Sequence, residues 1–433
     1  MTTIDAFEAI RREVVARLGA PRPDGAPDVD GSATNADDLR PDRVRAEAAR
    51  TVEEYVAMSR RGGAEPLRDP GGMVERVIQA VSGGGPLVAL LGRDDVEEVF
   101  VDGDRVTYLD GRGVLRGLPE PTSEAENRRV VDRLLAEGDR VLNASSPLVQ
   151  ARVLGGTGRL TAAIPPVADT LSATVRRYVV RTVHLDGLVD LGALGPDAAG
   201  FLRAVMGFRS RIAVSGEPGA GKTTLLAALL AAVPPEHCVR SCEEIRELAV
   251  PFTHGGYYET RPPGPDGSGE ITLRHLVKFV LAMRPDRIVV GEVRGGEAFE
   301  LTRAVNAGCG FACTVHANSA PEALGALVNA ALMAGENVTE GVVQRVLAAA
   351  LDLVVHVERR DADGGGLRRL VTEIVAVVPS LTDGFTSEPV FVRDGDGPLV
   401  WTGALPDRLT ARADRALGGR GTLRAHLEAG RAR

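Results

Sequence analysis

Gly216-Glu217-Pro218-Gly219-Ala220-Gly221-Lys222-Thr223 is the stretch on which the fold turns, a complete G-x-x-x-x-G-K-[ST] segment. Before it, Arg211–Ser215 carries the apolar Ile212, Ala213 and Val214 and reads as a buried strand. After it, the apolar-rich Thr224–Val233 reads as a helix stopped by Pro234-Pro235. A glycine-rich loop between strand and helix lets backbone N–H groups close around a β-phosphate, and the helix N-terminus adds its positive dipole end. Gly216, Gly219, Ala220 and Gly221 supply that cradle, Lys222 reaches the β- and γ-oxygens, and Thr223 ligates Mg²⁺. The expected ligands are ATP and Mg²⁺.

Such a site also needs an acidic residue at the end of a neighbouring buried strand, close to Mg²⁺ and the attacking water. Arg287–Gly291 is apolar on both faces and ends abruptly in Glu292, which supplies the carboxylate. Glu243-Glu244 follow the strand-like Val239–Cys242 and lie at the same edge; one of them holding Mg²⁺ or polarising water with the other exposed, and an ordinary solvated acidic pair, fit the sequence equally well. Thr314-Val315-His316-Ala317-Asn318 ends the run Phe311–Val315 and offers an imidazole and an amide there. A γ-phosphate sensor needs such a donor, although a lone histidine is more often structural.

Strand-like runs at 211–215, 239–242, 287–291, 311–315 and 353–357 alternate with helical stretches, so a largely parallel sheet covered on both faces is expected. Upstream, short β-rich runs at Val96–Asp102, Arg105–Leu109, Gln150–Leu154, Leu160–Ala163 and Thr174–Val180, with a helix over Glu124–Glu137, read as a small α+β domain. Ile4–Leu18 has helical apolar spacing, Gly19–Arg40 reads as a linker, and Pro41–Val81 is helical with breaks at Gly62-Gly63 and Pro70–Gly72. The organisation expected is therefore amphipathic helix and disordered linker (1–40), helical region (41–86), α+β domain (87–180), ATPase domain (181–402) and a loosely attached Arg/Gly-rich tail (403–433).

With 433 residues, 44% of them hydrophobic, the chain is long enough for more than one core. No apolar run reaches the ~18 residues needed to span a bilayer, and Met1–Arg12 is unlike a signal peptide, so a cytoplasmic place is expected. A net charge of -8 and 4% aromatics argue against a dedicated nucleic-acid binder; no direct nucleic-acid partner is expected. Lys222 and Lys278 are the only lysines in an arginine-dominated chain, so a lysine kept at 222 is informative. Cys238, Cys242, Cys309 and Cys313 tempt a zinc reading, but on strands each pair lies ~13 Å apart, and buried free thiols are expected instead.

Four elements in order resemble the secretion ATPase superfamily (type II/IV secretion), within it the Tad/CpaF-type pilus assembly ATPases and more distantly the VirB11-type ones. Walker A is GEPGAGKTT (Gly216–Thr224), the Asp box SCEEIREL (Ser241–Leu248), Walker B MRPDRIVVGEVRGGEA (Met283–Ala298) and the His box CTVHANS (Cys313–Ser319). The stretches 259–263, 352–356, 151–153, 163–166 and 175–177 are similar too. The resemblance implies a RecA-like P-loop NTPase domain with a smaller α+β N-terminal domain and a helical N-terminal extension. It implies that Lys222, Thr223 and Thr224 bind ATP with Mg²⁺, that Glu292 is the Walker B glutamate, Glu243 the conserved Asp-box glutamate, and that His316 belongs to the His box. Arginines reaching the nucleotide from the N-terminal domain would be Arg159, Arg176 or Arg177, which as solvated surface charges would read no differently.

The implied protein is a homohexameric motor that hydrolyses ATP and pushes an inner-membrane platform protein, held at the inner face of the membrane through partners. Two departures stand out: Glu244 replaces the usual aspartate, and Gly308-Cys309-Gly310 lacks the first histidine of the His box and one residue. The second weakens the case for full hydrolysis relative to binding. Alternatives are a conjugation or DNA-transfer motor and a nucleotide-gated scaffold with weak hydrolysis.

Overall fold

The computed structural model describes residues 3–18, 41–81, 85–111, 113–138, 140–178, 184–264, 267–335, 339–361, 367–380, 384–416 and 422–431. The expected linker 19–40 lies outside them. The chain divides into two compact units, Met1–Val179 and Val180–Arg433.

In the first unit, α1 (Thr3–Leu18), α2 (Pro41–Arg60) and α3 (Pro70–Val81) form a small bundle. Phe7, Ile10 and Val14, spaced at helical intervals, bury against Val44, Ala48, Val52, Met73 and Val77. The break expected at Pro70 is instead a start, because proline is tolerated in a first helical turn. The unit continues with α4 (Pro86–Leu91), β1 (Val96–Asp102), β2 (Arg105–Asp110), β3 (Leu115–Gly117), α5 (Glu124–Ala136), β4 (Leu148–Val153), β5 (Gly158–Ala163) and β6 (Ser172–Arg177). Its strands pair antiparallel in the order β3-β2-β1-β6-β5-β4. The bundle belongs to this unit: Arg76 of α3 pairs with the buried Glu126 of α5 at 3.2 Å.

The second unit is RecA-like. It runs α6 (Leu185–Asp190), α7 (Pro196–Met206), β7 (Arg211–Ser215), α8 (Lys222–Leu230), β8 (Cys238–Glu243), β9 (His254–Glu259), α9 (Leu273–Leu281), β10 (Arg287–Val293), α10 (Glu297–Asn306), β11 (Gly310–Val315), α11 (Ala320–Leu332), α12 (Glu340–Ala350), β12 (Leu353–Asp361), β13 (Leu367–Ser380), β14 (Gly384–Arg393), β15 (Leu399–Trp401), α13 (Asp407–Ala416) and α14 (Thr422–Arg431). Its strand order is β15-β14-β13-β12-β7-β11-β10-β8-β9. From β12 to β9 all neighbours are parallel, and β13, β14 and β15 add antiparallel strands.

Every residue of β7 is buried. Ile212 and Val214 face one core while Ala213 faces the other, the period-two outcome of a sheet with helices on both sides. Arg287, fully buried at the start of β10, donates to the carbonyls of Phe208 (2.7 Å) and Ser210 (2.8 Å), satisfying groups left open just past α7. Its pKa falls to about 10 because burial disfavours the charge. Three cysteines are buried and Cys238 is half-buried; all four are free thiols.

The C-terminal segment is not a loose tail. Leu409, Ala413, Leu423 and Leu427 are buried in the same core as β7 and α8. Arg412 of α13 forms a short ion pair with the buried Asp352, which also accepts the Arg211 backbone N–H at 2.9 Å. The arginine-rich composition hid this, because the apolar residues recur only once per turn.

Candidate nucleotide site

The loop 216–223 leaves the central strand β7 and opens α8. A Cβ at Gly216 would lie 2.3 Å from the Val357 carbonyl oxygen of β12, so only glycine lets the loop pass there. Gly221 caps α8 with φ +97°, a backbone that side chains disfavour. Ala220 is buried, and Thr224 is exposed one residue past Thr223.

Lys222 is 7% exposed, folded back along its own loop. Its Nζ donates to the carbonyls of Gly216 and Glu217, both at 3.0 Å, and meets His316 Nδ1 at 3.1 Å. An ammonium has no acceptor, so Nδ1 must accept and the proton of the neutral imidazole sits on Nε2. That Nε2–H donates to Glu292 Oε1 at 2.5 Å. The other Glu292 oxygen pairs with the Arg294 guanidinium, which also reaches Glu244 Oε2 at 2.9 Å. Burial lowers the His316 pKa first of all; Glu292 opposes this, while Lys222 and Arg294 add to it. A continuous line thus runs from the phosphate-loop lysine through His316 to Glu292.

Glu292 owes its aim to a fault in the ladder. Val290 pairs with Cys313 and Val293 with Val315, so β10 carries one extra residue across Gly291-Glu292. The Gly291 carbonyl at that bulge accepts the Thr314 hydroxyl at 2.6 Å. The strand therefore runs on to Val293 rather than stopping at Gly291, and the bulge was not visible in the apolar pattern.

Glu243 stands apart from this line. It is 3% exposed, its Oε2 accepts the backbone N–H groups of Glu247 (2.8 Å) and Leu248 (3.0 Å), and Oε1 accepts the Ser241 hydroxyl at 3.1 Å. Burial raises its pKa to about 7 against those three donors. The turn so formed returns Glu247 to the loop, where Thr223 Oγ1 lies 3.5 Å from Glu247 Oε2. Nothing in the apolar pattern singles out Glu247; its sequence signal is an acid four residues beyond a strand-end glutamate, the separation that one backbone-capped turn requires.

Gly308-Cys309-Gly310 lies at the other end of β11 from His316. Gly308 (φ +71°) ends α10, Cys309 N–H returns to the Ala304 carbonyl at 3.0 Å, and Gly310 starts the strand. Six strand residues separate that end from His316, roughly 20 Å of chain, so the altered start of the His box belongs to the helix–strand turn. On the near side, Ser319 caps α11 by accepting the Glu322 N–H at 3.2 Å, which fixes the short 316–318 segment.

The three candidate arginines lie in the first unit. Arg159 and Arg176 are cross-strand partners, so they share one face of the sheet, and Arg176 also stands opposite Glu98. Arg177 points the other way and bonds the Arg93 carbonyl, with Asp94 at 3.5 Å. Among the described residues no helix is long and apolar enough to cross a membrane.

The family model described as Type II/IV secretion system protein matches residues 123–363. A putative conjugal transfer protein of Mycobacterium tuberculosis is 39% identical over 314 residues, 68% of this chain and 85% of that protein. Conjugal transfer protein TrbB of Rhizobium radiobacter is 28% identical over 302 residues, 68% of this chain and 87% of that one. Among solved structures, the VirB11 ATPase of the Brucella suis type IV secretion system, in complex with sulphate, aligns with a TM-score of 0.36 at 22% identity, covering 76% of this chain and 95% of that one.

Proposed function

This chain belongs to the type II/IV secretion system protein family, and from that premise we propose that it hydrolyses Mg-ATP as a homohexameric motor of a Tad-type pilus or secretion machine. The observation that carries the proposal is the Lys222–His316–Glu292 line. A γ-phosphate competes for the Lys222 ammonium with the carbonyls of Gly216 and Glu217 and with His316. Moving Lys222 onto phosphate takes a donor from His316 and leaves its Nε2–H on Glu292, so phosphate arrival is passed to the carboxylate that orients the attacking water.

Thr223 Oγ1 and the Glu247 carboxylate form an all-oxygen pair beside the loop, the donor chemistry Mg²⁺ favours. Thr223 would hold the ion, with Glu247 and Glu292 on its water shell. Bound there, Mg²⁺ would neutralise charge on the phosphates. Glu243 is assigned to holding the turn, not to the chemistry. Of the N-terminal arginines, Arg159 and Arg176 are the better candidates to contact nucleotide, since Arg177 is already engaged.

The expected partner is an inner-membrane platform protein, which would hold the motor against the membrane. Titrating the chain with Mg-ATP tests the site: Lys222→Ala should abolish binding, and an unchanged affinity would overturn it. A conjugation motor is the second reading, favoured by the names of the two relatives. Single-stranded DNA binding that weakens steeply with salt would support it, and no binding at low salt would exclude direct DNA handling.

A further inference from the structure

His356 of β12 is a buried histidine that the reaction above does not use. Its partner across the ladder is Ser215, the last residue of β7 before the phosphate loop, and both are buried. His356 Nδ1 lies 2.9 Å from Ser215 Oγ. Theirs is the last pair between the two strands; one residue on, the loop turns away at Gly216 against the Val357 carbonyl. Glu358 Oε1 stands 3.9 Å from His356 Nε2, so the proton of the neutral ring belongs on Nε2 and Nδ1 accepts the Ser215 hydroxyl. Burial lowers the His356 pKa first of all, against the opposing effect of Glu358, Glu373, Glu322 and Glu217. The other pairs along this ladder, Ile212↔Leu353, Ala213↔Val354 and Val214↔Val355, are apolar. A hydroxyl and an imidazole are costlier to bury than another such pair, and they stand where the loop begins.

On its other side His356 stands directly across the ladder from Glu373 of β13. Glu373 Oε2 accepts the N–H of Ala320, the first residue of α11, at 3.2 Å, and Glu322 of α11 accepts the Asn318 N–H at 3.2 Å. Both amides lie just beyond His316 in the chain. Val354, on the same face of β12 as His356, packs in one core with Leu324 and Leu327, so α11 covers this side of the sheet. A polar layer therefore runs from Ser215 through His356 and Glu373 to the start of α11. It ties the root of the phosphate loop to the base of the His316 segment, independently of the direct contact between Lys222 and His316.

We propose that His356 is a positioning residue for hydrolysis: through Ser215 and Glu373 it sets the phosphate loop in register with the segment that carries His316. This rests on the nucleotide reading above. The test measures kcat and KM for Mg-ATP, and thermal melting, on the full chain as wild type, Ser215→Ala, His356→Leu, their double variant, His356→Asn and Glu373→Ala. Ser215→Ala, His356→Leu and Glu373→Ala should each lower kcat about tenfold or more with KM within about threefold, because the reacting groups are misplaced while the loop still binds. The double variant leaves neither partner of the Ser215–His356 bond unsatisfied, so it should melt at or above either single variant and yet turn over no faster. His356→Asn, whose amide can meet Ser215 from the Nδ1 position, should recover most of the lost turnover. A double variant that regains turnover together with stability overturns the proposal, since the bond would then serve the fold alone. Unchanged kcat in the single variants, or His356→Asn as slow as His356→Leu, overturns it too. Wild type without Mg-ATP turnover refutes the nucleotide reading itself, and the positioning role with it.

Discussion

Lys222 Nζ meets His316 Nδ1 at 3.1 Å, and this contact sets the tautomer that aims the His316 Nε2–H at Glu292. The phosphate loop and the strand-end carboxylate are thereby one hydrogen-bonded system instead of two neighbouring features. His316→Asn breaks the line while sparing the loop. We expect kcat to fall about 10²-fold with KM little changed, since a misaimed carboxylate costs the reaction and not the binding. Equal losses in kcat and affinity would assign His316 to binding.

The same contact predicts a pH dependence. Only neutral His316 can accept from Lys222, and burial above all keeps its pKa below the ordinary 6.5. The acid limb of kcat/KM, which reports the free enzyme, should therefore lie below 6.5. Arg294 contributes to that depression, so Arg294→Ala should move the limb upward. A limb that stays in place in both His316→Asn and Arg294→Ala would show that another group titrates.

Glu243 and Glu247 should separate cleanly on amidation. In Glu243→Gln the amide oxygen can still accept from the Glu247 and Leu248 N–H groups while the NH₂ donates to Ser241, so turnover should stay within about threefold. The raised folded pKa of Glu243 gives stability that is complete below 4.5 and is lost as pH rises through about 7. Glu243→Gln should then melt at or above the wild-type temperature at about pH 8, an advantage that vanishes toward pH 4. Glu243→Ala leaves both N–H groups unsatisfied and should cost about 1–3 kcal/mol for each. Glu247→Gln, beside Thr223, should instead lower turnover by about tenfold or more without lowering the melting temperature. The reverse pattern would return the chemistry to Glu243.

Asp352 joins the start of β12, the Arg211 backbone and α13 through Arg412. Arg412→Ala leaves a buried carboxylate short of its cation and should destabilise the second unit by about 3 kcal/mol, read by urea unfolding. Asp352→Asn should recover part of that loss when combined with Arg412→Ala, because the amide needs no counter-charge. Strict additivity of the two changes would contradict a direct pair.

What the sequence disclosed was local. A strand, a glycine loop and a helix in succession need no tertiary information, and the apolar runs ending at Cys242, Gly291 and Val315 declare the neighbouring strands on their own. What stayed hidden depends on neighbours. The bulge at Gly291-Glu292 exists only in register with β11, and the split of roles between Glu243 and Glu247 appears only once the turn closes. Leu423 and Leu427 sit among polar residues, and only packing against α7 shows that they are core. Gly308-Cys309-Gly310, which in the sequence reads as part of the His box, is a turn at the far end of β11.

The central claim is that Glu292, aimed by His316, drives hydrolysis of ATP held by Lys222. Mg²⁺-dependent phosphate release by the purified full chain, wild type against Glu292→Gln, tests it most directly. The account predicts steady turnover for wild type and a loss of about 10²-fold or more in Glu292→Gln with Mg-ATP affinity retained. Equal rates in the two proteins would contradict it.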